Sequence, residues 1–140
     1  MVLVIAGSLM LLIALLHVAI IFGGPDWYRF FGAGESMAVM SERGSVYPAV
    51  VTGIIASVLA VSAAYTFSAA GLITALPFSR QVLWLVAGVL MARGIFGIPL
   101  VLVGKSAYLC ELRSKMTFMI FSSLICIVLA TLYLIALSQK

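Results

Sequence analysis

The chain is poor in the side chains that carry most enzyme and metal chemistry. Its 140 residues include four acidic side chains, one histidine and two cysteines, and no asparagine, so no N-glycosylation acceptor exists. A lone histidine excludes bis-histidine haem ligation, and two cysteines without a Cys-x-x-Cys pair do not make a zinc site. No His-Glu-x-x-His motif or Ser/His/Asp order is present. We predict no metal and no cofactor, and the sequence identifies no catalytic residue.

Charge is scarce as well. Charged residues make up 9% of the chain and hydrophobic residues 65%, whereas a soluble domain is about one quarter charged and half apolar. Too few polar side chains remain to cover a surface that faces water, so the expected solvent is lipid. The net charge of +4 comes from basic residues scattered singly along the chain. This pattern predicts contact with membrane lipid and no nucleic-acid partner.

Four long apolar runs dominate what is present. They cover residues 2–22, 46–70, 82–103 and 116–137. At 1.5 Å per residue each run reaches about 30 Å, which is enough to cross a bilayer, and in lipid such spans have to be helical. The predicted fold is an all-α integral membrane protein with one domain, residues 1–140. It is a four-transmembrane-helix up-down bundle with a partly helical, interfacial first loop at 23–45.

The distribution of basic residues predicts an orientation. Loops 1 and 3 carry more lysine and arginine than the opposite side, which favours a cytoplasmic position for both loops. The residues counted are Arg29, Arg43, Lys105, Arg113 and Lys115 against Arg80 and Lys140. Composition suits a multi-pass protein of a bacterial inner membrane. In length, number of spans and its glycine- and aromatic-rich first loop, the chain resembles the small bacterial DoxX-like membrane proteins, and we carry no residue role over from them.

Loop 1, "GGPDWYRFFGAGESMAVMSERGSVYP", contains helix signals of its own. Pro25 predicts the start of a short interfacial helix. Ser36 is a candidate N-cap for a second helix that runs to Gly44 and buries Met37 and Met40. Such a segment is able to lie over the mouth of the bundle as an aromatic lid.

Small residues on span 2 predict a surface for close helix packing. They are spaced as in small-xxx-small patterns, which favour a helix–helix contact within the bundle or a homodimer through this face. The residues are Thr52, Ala56, Ala60 and Ala64, with Gly53 and Ser57 beside them. A second stripe, on span 4, has Ser122 or Ser123, Cys126, Ala130 and Tyr133.

Arg93 is the most informative residue, because it lies inside the third apolar run. An arginine at mid-bilayer costs about 2.5–3.5 kcal/mol on insertion scales and is a functional hypothesis by default. Pro99, together with Gly94 and Gly97, predicts a kink or local unwinding just after it. A purely structural arginine, satisfied by carbonyl groups and one carboxylate, is an equally weighted interpretation.

Two further residues lie where they could join Arg93 in a polar cluster. His17 is near the loop 1 end of span 1, and Glu35 is in loop 1. An acid, an imidazole and a fixed cation suit proton-coupled chemistry or the binding of an anionic headgroup. The ligand-binding candidates are therefore Arg93, Glu35 and His17, with hydroxyl groups from Tyr28, Tyr47 and Thr52.

Three functions remain open from the sequence. The first is binding or translocation of a small anionic or amphiphilic ligand in a polar niche around Arg93 under loop 1. The second is a non-catalytic helper, such as a subunit, assembly factor or immunity factor, in which Arg93 is locked in a dry salt bridge. The third is a membrane enzyme acting on a lipid-like substrate, with His17 and Glu35 as acid and base. One histidine and one acid are few catalytic side chains for an enzyme, so this function ranks last.

Overall fold

The computed structural model describes residues 1–139, and all the regular elements in that range are helices. There are seven of them. Four are long: α1 (Val2–Gly23), α4 (Tyr47–Ala69), α5 (Ser79–Val103) and α7 (Met116–Ser138). Three are short and lie in the loops: α2 (Pro25–Phe30), α3 (Glu35–Glu42) and α6 (Ala107–Ser114).

The four long helices confirm the predicted apolar runs. Each is long and apolar enough to cross a membrane, with a mean hydropathy between 1.9 and 2.7 in its most apolar window. The largest difference in bounds is at the start of the third run, predicted at residue 82 and found at Ser79. Helical backbone continues through Pro99 to Val103. The local unwinding predicted near that proline is therefore not found, and Arg93 lies on an uninterrupted helix.

The long helices pack as two close pairs. α1 packs along α4 and α5 along α7, while smaller contacts join α1 to α7 and α4 to α5. One core cluster takes members from all four helices, among them Met10, Ala63, Leu83 and Tyr133. Close approach of α5 and α7 depends on Gly94, where an added Cβ would lie 3.2 Å from the Ser123 carbonyl oxygen.

The small-residue face predicted on α4 is correct for one half only. Thr52 and Ala56 are buried, whereas Ala60 is exposed and the inner face continues at Ala63 and Thr66. The reason is helical geometry. Four residues turn a helix by about 40° more than one full turn, so repeated steps of four drift away from the partner helix. The buried residues Thr52, Ala56, Ala63 and Thr66 are spaced by four, seven and three residues, and this mixed spacing keeps them on the inner face.

The two helices predicted in loop 1 are present, but the second begins differently. α2 starts at Pro25 as predicted, whereas α3 starts at Glu35 with Gly34 as its N-cap. Ser36 lies inside the first turn and caps nothing. Gly34 has a φ of 102°, a conformation that favours glycine, and this turns the chain into the helix two residues earlier than predicted. Ala38 is the residue that α3 buries fully, and Met37 and Met40 are only half-buried.

Candidate functional site

Loops 1 and 3 pack together at one end of the bundle. The Tyr108 hydroxyl donates to the Gly32 carbonyl at 3.0 Å, and the Glu35 N–H donates to a Glu111 carboxylate oxygen at 2.7 Å. These bonds join loop 1 to α6, a helix that the sequence analysis missed. The Ser106 side chain caps α6 by accepting a hydrogen bond from an N–H group of its first turn. We call α2, α3 and α6 together the loop platform.

Arg29 holds loop 1 together. Its Nη2 lies 2.7 Å from Glu35 Oε1 and 2.8 Å from Glu42 Oε1, and its Nε donates to Glu35 Oε2 at 2.9 Å. Asp26 is farther away, with 3.5 Å between its Oδ1 and Arg29 Nη1. The guanidinium hydrogen bond lowers the pKa of Glu35 below its ordinary value, and the positive charge of Lys115 adds to this effect. The Arg29 side chain, on α2, therefore joins α2 to the two carboxylates of α3.

The lowered pKa of Glu35 predicts an acid-sensitive platform. A carboxyl group with a lowered folded-state pKa stabilises the protein above its ordinary pKa of 4.5, and this contribution is lost as the pH falls through the lowered value. We expect Glu35→Gln to melt below the parent at pH 7, with the difference shrinking towards pH 3. Asp26→Asn is the matched control, because Asp26 is 94% exposed and should change little at either pH. A difference for Glu35→Gln that stays constant from pH 7 to pH 3 would contradict this prediction.

The loop platform contains all four acidic side chains of the chain. Of the four acidic residues, three contact Arg29 and the fourth, Glu111, accepts the Glu35 N–H. Within residues 1–139, Arg29 is the cation in every ion pair. Glu35 is thus held by Arg29, and the structure does not bring it to Arg93.

Arg93 contacts neutral groups. Its Nη1 lies 3.4 Å from Ser123 Oγ, and its Nη2 lies 3.3 Å from Ser122 Oγ and 4.0 Å from Met119 Sδ. The residue is exposed rather than enclosed in the bundle. A guanidinium carries five N–H donors, and within residues 1–139 the Arg93 side chain makes three contacts, all of them long, so its hydrogen-bonding capacity is only partly used. The site is a cation that α5 and α7 hold with two hydroxyl groups beside it.

The Arg93 side chain extends towards the loop platform. It passes over Gly97, one turn further along α5, where any Cβ would collide with Nη1. Ser122 lies six residues after the start of α7, about 9 Å along the helix axis. Burial raises the pKa of Tyr108 in α6, and the positive charge of Arg93 partly opposes this rise. The guanidinium therefore lies near the platform end of the spans, the direction in which a long cationic side chain extends towards water.

The other sequence-predicted candidates lie in separate places. The His17 ring Nδ1 is 2.8 Å from the Ile13 carbonyl oxygen of its own helix, and the ring is half-buried. Thr52 is buried in α4, and Tyr47 is exposed at the start of that helix. Tyr28 is buried, and within residues 1–139 its hydroxyl group has no hydrogen-bond partner. The cluster of Glu35, His17 and Arg93 is not formed, and a role in ligand binding for each residue stays a prediction.

Sequence reasoning missed the residues that surround Arg93. Ser122 and Ser123 were predicted only as part of a packing stripe, and Gly97 only as a helix-weakening residue. A signal was available, because two adjacent serines inside an apolar span are hydrogen-bond donors and acceptors at membrane depth. What the sequence does not contain is the register between α5 and α7 that places these hydroxyl groups beside the guanidinium.

Comparisons of the chain with protein-family models, with curated proteins and with solved structures find no match.

Proposed function

We propose that this protein crosses a bacterial inner membrane as an up-down four-helix bundle and binds the acidic head of an anionic amphiphile at Arg93. The observation that carries the proposal is the environment of the guanidinium. It is exposed at the depth of an apolar span and contacts two serine hydroxyl groups and a thioether, while the four acidic side chains lie in the loop platform.

The energetic argument follows from that environment. An unpaired charge surrounded by hydrocarbon is costly, and within residues 1–139 no carboxylate lies within 4.0 Å of Arg93. An anion from outside the chain lowers this cost. Carboxylate and phosphate groups both match the planar, two-pronged geometry of a guanidinium. The Ser123 hydroxyl is placed to supply a further donor, whereas the Ser122 hydroxyl donates to the Met119 carbonyl. The shared ligand chemistry is an acidic head on an apolar body.

The same proposal includes the orientation of the chain. Loops 1 and 3 are cytoplasmic by the positive-inside rule, so Arg93 extends towards the cytoplasmic leaflet, where anionic lipid is attracted by basic residues. A homodimer would use the small residues that α4 leaves exposed, such as Ser57 and Ala60.

Binding is favoured over the other two functions by specific contacts. A helper protein was expected to lock Arg93 in a dry salt bridge, and Arg93 instead contacts neutral partners. An enzyme was expected to aim His17 and Glu35 at one reacting position. His17 is bonded to the Ile13 carbonyl and Glu35 to Arg29, so the geometry offers no common position for acid and base.

The test compares two arginine variants in an uncharged detergent. Phosphatidylglycerol, hexadecanoate and uncharged hexadecanol are added in turn to the parent, Arg93→Gln and Arg43→Gln, and the melting temperature is recorded. Arg43 is the matched control, because it is an exposed arginine at the same end of the bundle, directly after α3. A ligand at about 100 times its Kd stabilises a protein by about 2.7 kcal/mol, which is a shift of several degrees.

We expect at least one of the two anions to raise the melting temperature of the parent and of Arg43→Gln, and to leave Arg93→Gln unchanged. Phosphatidylglycerol alone would identify a membrane lipid as the source of the acidic head, and hexadecanoate alone a free fatty acid. The proposal is wrong if Arg93→Gln responds like the parent, or if hexadecanol shifts the parent as much as the anions do.

A further inference from the structure

A groove of about 400 Å³ lies between α1 and α7, and all its lining side chains are apolar. Four of them come from α1, including Leu9 and Ile13, and five from α7, including Ile125 and Leu129. The groove exists because α1 and α7 contact each other less closely than the two main helix pairs do. Its volume is within the range of about 300–1,000 Å³ that ligand pockets occupy.

Both walls of the groove continue into polar residues at the same end. On α1, Leu9, Ile13 and His17 follow one another at steps of four residues, and on α7, Ser122 precedes Ile125 and Leu129 at spacings of three and seven. Residues with these spacings share one face of a helix. α1 runs towards the loop platform and α7 starts beside it, so His17 and Ser122 lie at the platform end of their respective walls.

Ser122 also links the groove to the cation. Its hydroxyl group is 3.3 Å from Arg93 Nη2, and its own stripe on α7 leads into the groove. The apolar lining provides no partner for a polar ligand, and an unsatisfied polar group there would be costly. A molecule that fits both parts has an acidic group at one end and a hydrocarbon chain at the other.

We propose that the α1/α7 groove holds the acyl chain of the amphiphile whose acidic head binds Arg93, with His17 and Ser122 on either side of the chain near its head. This inference rests on the proposed function and adds the position of the ligand's acyl chain. The α7 wall from Phe121 to Leu129 is about 12 Å long, so the groove holds the part of one chain nearest the head. The rest of a longer chain continues into the bilayer.

The experiment fills the groove without touching the cation. Ile125→Trp and Leu12→Trp each place a large ring in the groove from opposite walls, at positions 46% and 60% exposed. Val58→Trp is the matched control, because Val58 is 61% exposed on α4 outside the groove. Direct binding of radiolabelled hexadecanoate is measured for the parent, these three variants and Arg93→Gln, all in uncharged detergent and after comparison of their ligand-free melting temperatures.

We expect both groove variants to raise the Kd for hexadecanoate at least about tenfold and Val58→Trp to stay within about twofold of the parent. If either groove variant unfolds, the other gives the answer. Groove variants that bind like the parent, while Arg93→Gln loses binding, overturn the position of the chain and leave the proposed function standing. If the parent does not bind hexadecanoate, the same five proteins are compared with radiolabelled phosphatidylglycerol. If Arg93→Gln binds like the parent, or the parent binds neither anion, the proposed function fails and the inference fails with it.

Discussion

Replacement of Tyr133 by alanine is expected to lower the free energy of unfolding by about 3–5 kcal/mol, the cost of truncating a buried aromatic side chain. Tyr133 is completely buried and packs in the core cluster to which all four long helices contribute. The hole left by its ring lies where the two close helix pairs meet. Because α1 and α7 contact each other sparingly, few other side chains are placed to fill it.

Tyr133→Phe separates the ring from its hydroxyl group. The Thr66 hydroxyl donates to the Ser62 carbonyl, so in the 2.7 Å bond between the two side chains Tyr133 is the donor. Removal of that donor leaves Thr66 satisfied, and an interhelical hydrogen bond of this kind contributes about 0.6 kcal/mol on average in membrane proteins. Unfolding in mixed micelles measures both variants. Equal losses for Tyr133→Ala and Tyr133→Phe would show that packing of the ring contributes little.

Gly97→Ala is expected to weaken binding of an anionic amphiphile about tenfold although the charge on Arg93 stays. The new Cβ takes the space that the guanidinium now occupies and lies 3.2 Å from Ser123 Oγ. The flexible Arg93 side chain then has to move away from the two serines. Alanine is a better helix former than glycine by about 1 kcal/mol, so α5 itself is not weakened.

Gly88→Ala is the control for Gly97→Ala. Gly88 is an exposed glycine on the same helix, and a Cβ there meets nothing within 4 Å among the described residues. Its gain in helix propensity is the same, and its expected effect on hexadecanoate binding is none. Equal affinities for the two alanine variants would contradict the position that we assign to the Arg93 guanidinium.

Much of the fold follows from hydrophobic patterning. The four long helices could be located from apolar runs alone, because a helix that crosses a bilayer needs about 20 consecutive apolar residues. Pro25 also marked the first helix of loop 1 correctly. α6 was missed because its eight residues are mixed in polarity and resemble a connector, although Ser106 offered a cap. Ser36 was the wrong cap because Gly34, two residues earlier in the chain, takes a positive φ and allows the helix to begin sooner.

The site was harder to predict, because contacts across the chain decide it. The cost of a charge in lipid singled out Arg93, but its partners depend on the packing of α5 against α7. Helical side chains usually point towards the N-terminal end of their helix, whereas Arg93 reaches over Gly97 in the opposite direction. Glu35 was predicted to join Arg93 because the two residues were expected at a similar depth in the membrane. Arg29 binds it because α2 and α3 fold back on each other, a contact that no helical spacing reveals.

The most direct measurement of the central claim is the position of the acidic head on the protein. A hexadecanoate with a photoreactive diazirine beside its carboxyl group is bound to the purified protein, irradiated, and mapped by peptide mass spectrometry. Our account predicts crosslinks in residues 93–97 and 119–123, which surround the Arg93 guanidinium. Crosslinks confined to exposed basic residues next to the loop platform, around Lys105 or Arg43, would contradict it.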